Sequence, residues 1–201
     1  MHGLINKSLQ CFLCETYGEA LWRQVAAQCG VSPAGFEAML HYDDDLTDAL
    51  IGRASALLER PREALLEDVG TFLASREALR RLLRFGGGDY WEFLHSLDEL
   101  PDRGRMALPD LDLPGLRLSG GDKGMFDLRI TAPRADWVPV LAGLLRAMAD
   151  DYGALVLIEP VEIGGCGLIS ITLLDSAYAE GRHFDLATGS ERLEMWPGAS
   201  A

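Results

Sequence analysis

The chain has 201 residues, 48% of them hydrophobic and 24% charged, and its 18 lysines and arginines against 31 aspartates and glutamates leave a formal charge of −13. A chain of this length buries roughly 70% of the surface its unfolded state exposes, enough for a sizeable core, which excludes general disorder. So acidic a domain repels phosphate backbones and anionic headgroups, so no nucleic acid and no membrane surface is expected as its main partner, and an anionic ligand would need a local basic anchor.

From residue 4 to about residue 100 the apolar residues recur at helical spacing, and seven helices are predicted. Leu4, Ile5, Leu9, Phe12 and Leu13 form a first stripe closed by Gly18, and Ala20, Leu21, Val25 and Ala26 a second closed by Gly30. Ser32-Pro33 reads as the N-cap and first position of a short third helix through Phe36, Met39 and Leu40. Asp44 or Asp45 caps a fourth through Leu50, Ala54 and Leu57, and Arg60-Pro61 opens a fifth through Leu65, Leu66 and Phe72. Ser75 caps a sixth that ends near Phe85 and the three glycines after it. Asp89 caps a seventh, with Tyr90, Phe93, Leu94, Leu97 and Leu100 on its apolar face and Pro101 at its end.

Residues 102–124 hold Pro109, Pro114, Gly115, Gly120, Gly121 and Gly124, the composition of an irregular crossover with at most one short strand near Leu116. Beyond it Phe126–Thr131 alternates as a half-buried strand, and Asp136 caps a helix from Trp137 to about Asp150, with Pro139 in the first turn. Ala154–Ile163 and Gly167–Leu174 are apolar and rich in β-branched residues around Gly164-Gly165, the pattern of an antiparallel hairpin. The expected fold is α+β: a helical subdomain over residues 1–101 packed on an α+β subdomain over 102–174 with a small antiparallel sheet, then a polar, loosely packed tail over 175–201.

Cys11, Cys14, Cys29 and Cys166 are too few and too unevenly spread for a disulfide framework, so reduced thiols in a cytoplasm of bacterial type are expected. No apolar run reaches the about 18 residues of a membrane span, and the N-terminus lacks the pattern of a secretion signal. Cys11 and Cys14 have the spacing of a metal knuckle or redox pair, but inside a predicted helix they are more simply a small apolar pair beside Phe12. Asp43-Asp44-Asp45 resembles the start of a calcium loop but has Asp48 where glycine is needed and Ala54 where the closing glutamate belongs. His2, His41, His95 and His183 form no i+3 or i+4 pair, and no signature of nucleophilic or acid–base catalysis is present, so an enzyme is the least favoured reading. Arg134, between strand and helix cap, is either a solvated turn residue or an anchor that binds a ligand carboxylate through its guanidinium.

Taken together, Gly3-Leu4-Ile5-Asn6, Gly18, Trp22, Gly30, the Tyr42-x-Asp44-x-x-Thr47 step, Leu65-Leu66-Glu67 with Gly70, and Phe93-Leu94-x-x-Leu97-Asp98-x-Leu100 resemble the haem nitric oxide/oxygen-binding (H-NOX) family over roughly residues 1–174. The resemblance implies a haem between the helical half and the sheet half, and a gas-driven shift of one half against the other that regulates a diguanylate cyclase or histidine kinase. In the family a histidine directly after the Leu-Asp-x-Leu step ligates iron, and the matching residue is Pro101. On a continuous helix residue 101 follows Leu94 and Leu97 at i+7 and i+4 and faces the core, whereas His95 lies about 120° away. The family's Tyr-x-Ser-x-Arg motif, which holds the haem propionates, counts from Pro114 onto Ile130, Ala132 and Arg134, so of its three polar side chains the arginine alone is kept. Pro114 and Ile5 match residues that pack on the haem. The resemblance thus leaves two expectations: a divergent sensor that binds haem without the usual histidine, or a haem-free module whose crevice takes another apolar carboxylate or no ligand.

Overall fold

The computed structural model describes residues 1–108, 110–132, 134–163 and 166–182. Among the described residues eight α-helices and four strands follow in the order α1 (Gly3–Tyr17), α2 (Glu19–Gln28), α3 (Asp44–Leu58), α4 (Arg62–Ser75), α5 (Glu77–Arg84), α6 (Tyr90–His95), α7 (Leu100–Ala107), β1 (Gly115–Gly120), β2 (Met125–Thr131), α8 (Trp137–Tyr152), β3 (Leu155–Ile163) and β4 (Cys166–Asp175). The strands form one antiparallel sheet in the order β1-β2-β4-β3, so β1 and β3 are its edges. The α+β class and the small antiparallel sheet expected from the sequence are what the chain adopts. Gly164-Gly165, expected as the hairpin turn, lies outside the described residues, as does His183.

Two apolar cores organise the molecule. Leu9, Phe12, Leu13, Trp22, Val25, Leu50, Leu65 and Val69 of α1–α4 form one, joined by Val140 of α8. The other joins Leu83, Tyr90, Phe93, Leu94 and Leu97 to the inner sheet face (Leu116, Phe126, Leu128, Ile130, Ile158, Ile169, Ile171) and to Leu141, Leu145 and Met148 of α8. In β2 burial alternates strictly, so the period-2 pattern read in Phe126–Thr131 sets which side chains enter the core. Packing therefore groups α5–α7 with the sheet, although sequence composition changes only after residue 101. α8 serves both cores because it is apolar on more than one face, and Gly153, in the left-handed region at φ +75°, ends it. It crosses α4 at backbone contact: a Cβ on Gly70 would stand 1.9 Å from the Val140 carbonyl oxygen, and one on Gly143 1.9 Å from that of Glu67.

Three expectations are corrected. No helix forms over Ser32–Leu40, because side chains of α1 and α2 claim the backbone groups a helix would pair. Trp22 Nε1 donates to the Pro33 carbonyl (2.9 Å), Gln10 Nε2 donates to that of Ala34 (3.3 Å), and the Phe36 amide donates to Gln10 Oε1 (3.2 Å). Gly35 turns the chain at φ +84°, with Gln10 where a Cβ would be. The seventh predicted helix is also two. Asp89 caps it as expected, its carboxylate accepting from the Glu92 amide at 2.8 Å, but α6 ends at His95. A 3-10 turn over Leu97–Glu99 intervenes, and α7 restarts at Leu100 and runs on to Ala107, into the stretch expected to be irregular. Pro101 is the cause: it cannot donate to the carbonyl four residues back, yet suits the first turn of a new helix, where it stands. The break turns Asp98 toward the sheet, where Oδ1 accepts the Leu118 amide of edge strand β1 at 2.6 Å and Oδ2 pairs with Arg117 at 3.2 Å. The other edge strand, β3, carries Pro160. Finally, the start of the expected loose tail is tied down, because the Ala179 amide donates to the Gly153 carbonyl (3.0 Å) and that of Arg182 to the Asp151 carbonyl (2.8 Å).

Candidate functional site

Between the helical and sheet halves lie two neighbouring cavities that share Met1, Ile5, Arg134 and Trp137. The larger, about 250 Å³, has a polar mouth of His2, His41, Asp44, Asp110 and Asp112 beside Leu113 and Pro114. The smaller, about 100 Å³, is nearly all apolar, with Leu9 of α1, Ile51 of α3, Leu66, Val69 and Leu73 of α4 and Val140 of α8 among its walls. Ile5 reaches both because α1 points one face at the crevice, and Pro114 reaches the larger from the loop before β1.

Of the residues expected in a site, Ile5, Pro114 and Arg134 meet at the larger cavity. Ile130 and Ala132 line neither. Ile130 is buried on the inner sheet face between Leu116 and Gly167, and Ala132 packs on the sheet core. Pro101 is buried but lines neither cavity; one turn on, Gly104 packs so closely on Leu113 that a Cβ would stand 2.3 Å from its Cδ1, which sets α7 against the crevice wall. His95 is exposed and packs on Trp91 and Phe126, ring centroids 5.4 and 5.7 Å away. Cys14 and Cys29 are free thiols, and among the described residues no His, Cys, Asp and Glu group is arranged to hold a metal ion.

The sequence reading missed the groups around Arg134. Its Nη2 donates to Asp136 Oδ2 (2.6 Å) and to Asp48 Oδ1 of α3. Arg62 of α4 grips Asp136 bidentately, Nε to Oδ1 and Nη2 to Oδ2 at 2.9 Å each, and donates from Nη2 to Asp48 Oδ1 at 2.7 Å. Two cations and two anions thus tie α3 and α4 to the segment between β2 and α8. Burial alone would raise the Asp136 carboxyl pKa, but hydrogen bonds from Arg62 and Arg134 outweigh it and hold the group below the usual carboxylate range. No local signal marks the cluster, since 74 positions separate Arg62 from Asp136 and 86 separate Asp48 from Arg134.

His2 was missed too. It precedes α1, and its Nδ1 accepts the Leu4 amide at 3.2 Å, a cap that only an unprotonated Nδ1 can make. Burial, then the neighbouring His41, lowers its pKa below 6.5. Its folded pKa is therefore below its unfolded value, so the stability it contributes is complete above pH 6.5 and is lost as pH falls toward the folded value. A His2→Asn variant, whose cap does not titrate, is expected to lose less stability than the unmodified chain between pH 7.5 and 5, by up to about 1 kcal/mol in urea unfolding. Equal losses in the two proteins would remove this cap from the account.

The family model for haem-NO-binding proteins matches residues 2–159. Soluble guanylate cyclase gcy-31 of Caenorhabditis elegans is 26% identical over 168 residues, 81% of this chain and 24% of that protein. Soluble guanylate cyclase 89Db of Drosophila melanogaster is 21% identical over 158 residues, 77% of this chain and 24% of that protein. The chain thus spans about a quarter of the length of these relatives. Among solved structures, a mutant H-NOX domain of T. tengcongensis superposes with a TM-score of 0.74 at 17% identity, covering 88% of this chain and 99% of that one. A Cs H-NOX mutant gives 0.75 at 16% identity over 90% of this chain and 100% of that one, and an oxygen-binding H-NOX domain related to soluble guanylate cyclases gives 0.70 at 17% identity over 91% and 100%. These likenesses establish the fold, and with the family match they make this chain a member of the haem-NO-binding (H-NOX) family.

Proposed function

We propose that this domain is a sensor module whose apolar interlobe crevice has lost ordinary histidine-ligated haem chemistry. The family match supports a haem-binding sensor in general, and Pro101 is the observation that carries the narrower reading. By resemblance it stands at the axial position, it is buried in the first turn of α7, and its ring has no atom with which to ligate iron. Ile130 and Ala132 have no hydroxyl to offer a propionate, and Arg134 already donates to two carboxylates. These residues do not fit a haem held through the family's positions. The crevice then serves as a haem-free regulatory site, and the donors Arg134 has left, next to an apolar floor, favour another apolar carboxylate as its occupant. The relatives are guanylate cyclases, which supports a cyclase as the regulated partner; a diguanylate cyclase or a histidine kinase is the narrower form of that proposal.

Visible absorption after haemin loading tests the reading. The unmodified chain is expected to lose its Soret band on gel filtration. A strong band that survives the column and shifts with nitric oxide would refute the loss of haem chemistry.

A further inference from the structure

The Arg62, Arg134, Asp48 and Asp136 cluster occupies the place where a crevice ligand would meet its basic anchor. Arg134 lines both cavities and its side chain is 15% exposed. Among the described residues only its Nη2 donates a hydrogen bond, so Nε and Nη1 keep donors for a further acceptor. The cluster is nevertheless neutral, two guanidinium groups against two carboxylates, and Asp110 and Asp112 add negative charge at the mouth. An entering carboxylate therefore meets an anchor whose charge is already spent.

The two carboxylates are not equivalent. Asp136 is held by the Arg62 fork and by Arg134, and its side chain is 22% exposed. Asp48 is 49% exposed and engages both arginines through Oδ1, with no bond to Oδ2 among the described residues. Water and a competing anion can reach it, so it is the weaker held of the two. Resting on the reading that Arg134 anchors a carboxylate, we infer that Asp48 is a built-in competitor for that ligand. Its carboxylate supplies the countercharge while the crevice is closed, and a monocarboxylate with a short apolar body enters by exchanging with it. The apolar body lies against Ile5 and Trp137 toward the smaller cavity, and the exchange frees α3 from the segment that leads into α8. Occupancy of the crevice is thereby coupled to the contact between the two halves.

Octanoate binding, measured calorimetrically on the whole chain, tests this. Asp48→Asn removes one negative charge and leaves Arg134 a net cation, so it is expected to bind octanoate at least about tenfold more tightly than the unmodified chain, the smaller end of what a charged hydrogen bond is worth. Arg134→Gln is expected to abolish binding in both backgrounds. If Arg134→Gln abolishes binding but Asp48→Asn does not strengthen it, competition is refuted and the anchor stands. If octanoate binds equally with and without Arg134, or binds to none of the proteins, the carboxylate reading fails with it. Should Asp48→Asn not fold, carbon-13 spectra of the unmodified chain decide. The Asp48 carboxylate resonance should move as octanoate saturates the site, and a stationary resonance under saturation overturns the exchange.

Discussion

Pro101→His is expected to give the haemin-loaded, reduced protein the visible spectrum of five-coordinate ferrous haem, where the unmodified chain retains none. The substitution is mild for the fold. At the start of α7 no helical amide bond is at stake, and exchanging proline for a residue with freer backbone costs roughly 0.4–1 kcal/mol. A buried imidazole at the start of α7 would offer iron the nitrogen ligand that the proline ring lacks. A mutant that folds, by unchanged circular dichroism, and still gains no such spectrum would show that the space between the lobes does not admit a porphyrin beside α7. The proposed loss of haem chemistry would then have a second cause besides the missing ligand.

The α4–α8 crossing carries the second large effect. Gly70→Ala or Gly143→Ala places a methyl group 1.9 Å from a carbonyl oxygen of the facing helix, and backbone cannot give way as the end of a flexible side chain can. Each is expected to cost about 3 kcal/mol or more, a drop in Tm of roughly 6–12 °C for a chain of this size. Gly52→Ala is the control. Gly52 is exposed in the interior of α3 with nothing within 4 Å of its Cβ position, so alanine there should stabilise by about 0.5–1 kcal/mol. Equal responses at the three sites would mean that α4 and α8 are not in backbone contact.

Most of the fold was legible because its signals are local. The Phe126–Thr131 alternation, the Asp89 cap and the apolar stripes of α1–α4 each lie within one element, and each forms where it was read. Much of what failed was decided by partners distant in sequence. Ser32-Pro33 has the form of a helix start, yet Gln10 and Trp22 take the backbone groups from outside. A helical wheel carried through Pro101 assumed a continuity that proline itself forbids, though the residue is buried all the same. At the crevice, family motifs named Ile5, Pro114 and Arg134, which meet at one cavity. Asp48, Arg62 and Asp136 carry no motif and belong to three separate segments, so only the folded chain brings them together.

The grip of Asp98 on the Leu118 amide constrains how this domain can meet other molecules. Together with Pro160, which has no amide hydrogen to give, it leaves neither border of the sheet with a full row of vacant donors. Recruitment by β-strand addition is thereby discouraged on both sides, as is fibril-like stacking of copies through their rims. A protein that docked on this domain would meet side chains on the flat of the sheet or along the helices before it met a bare strand edge.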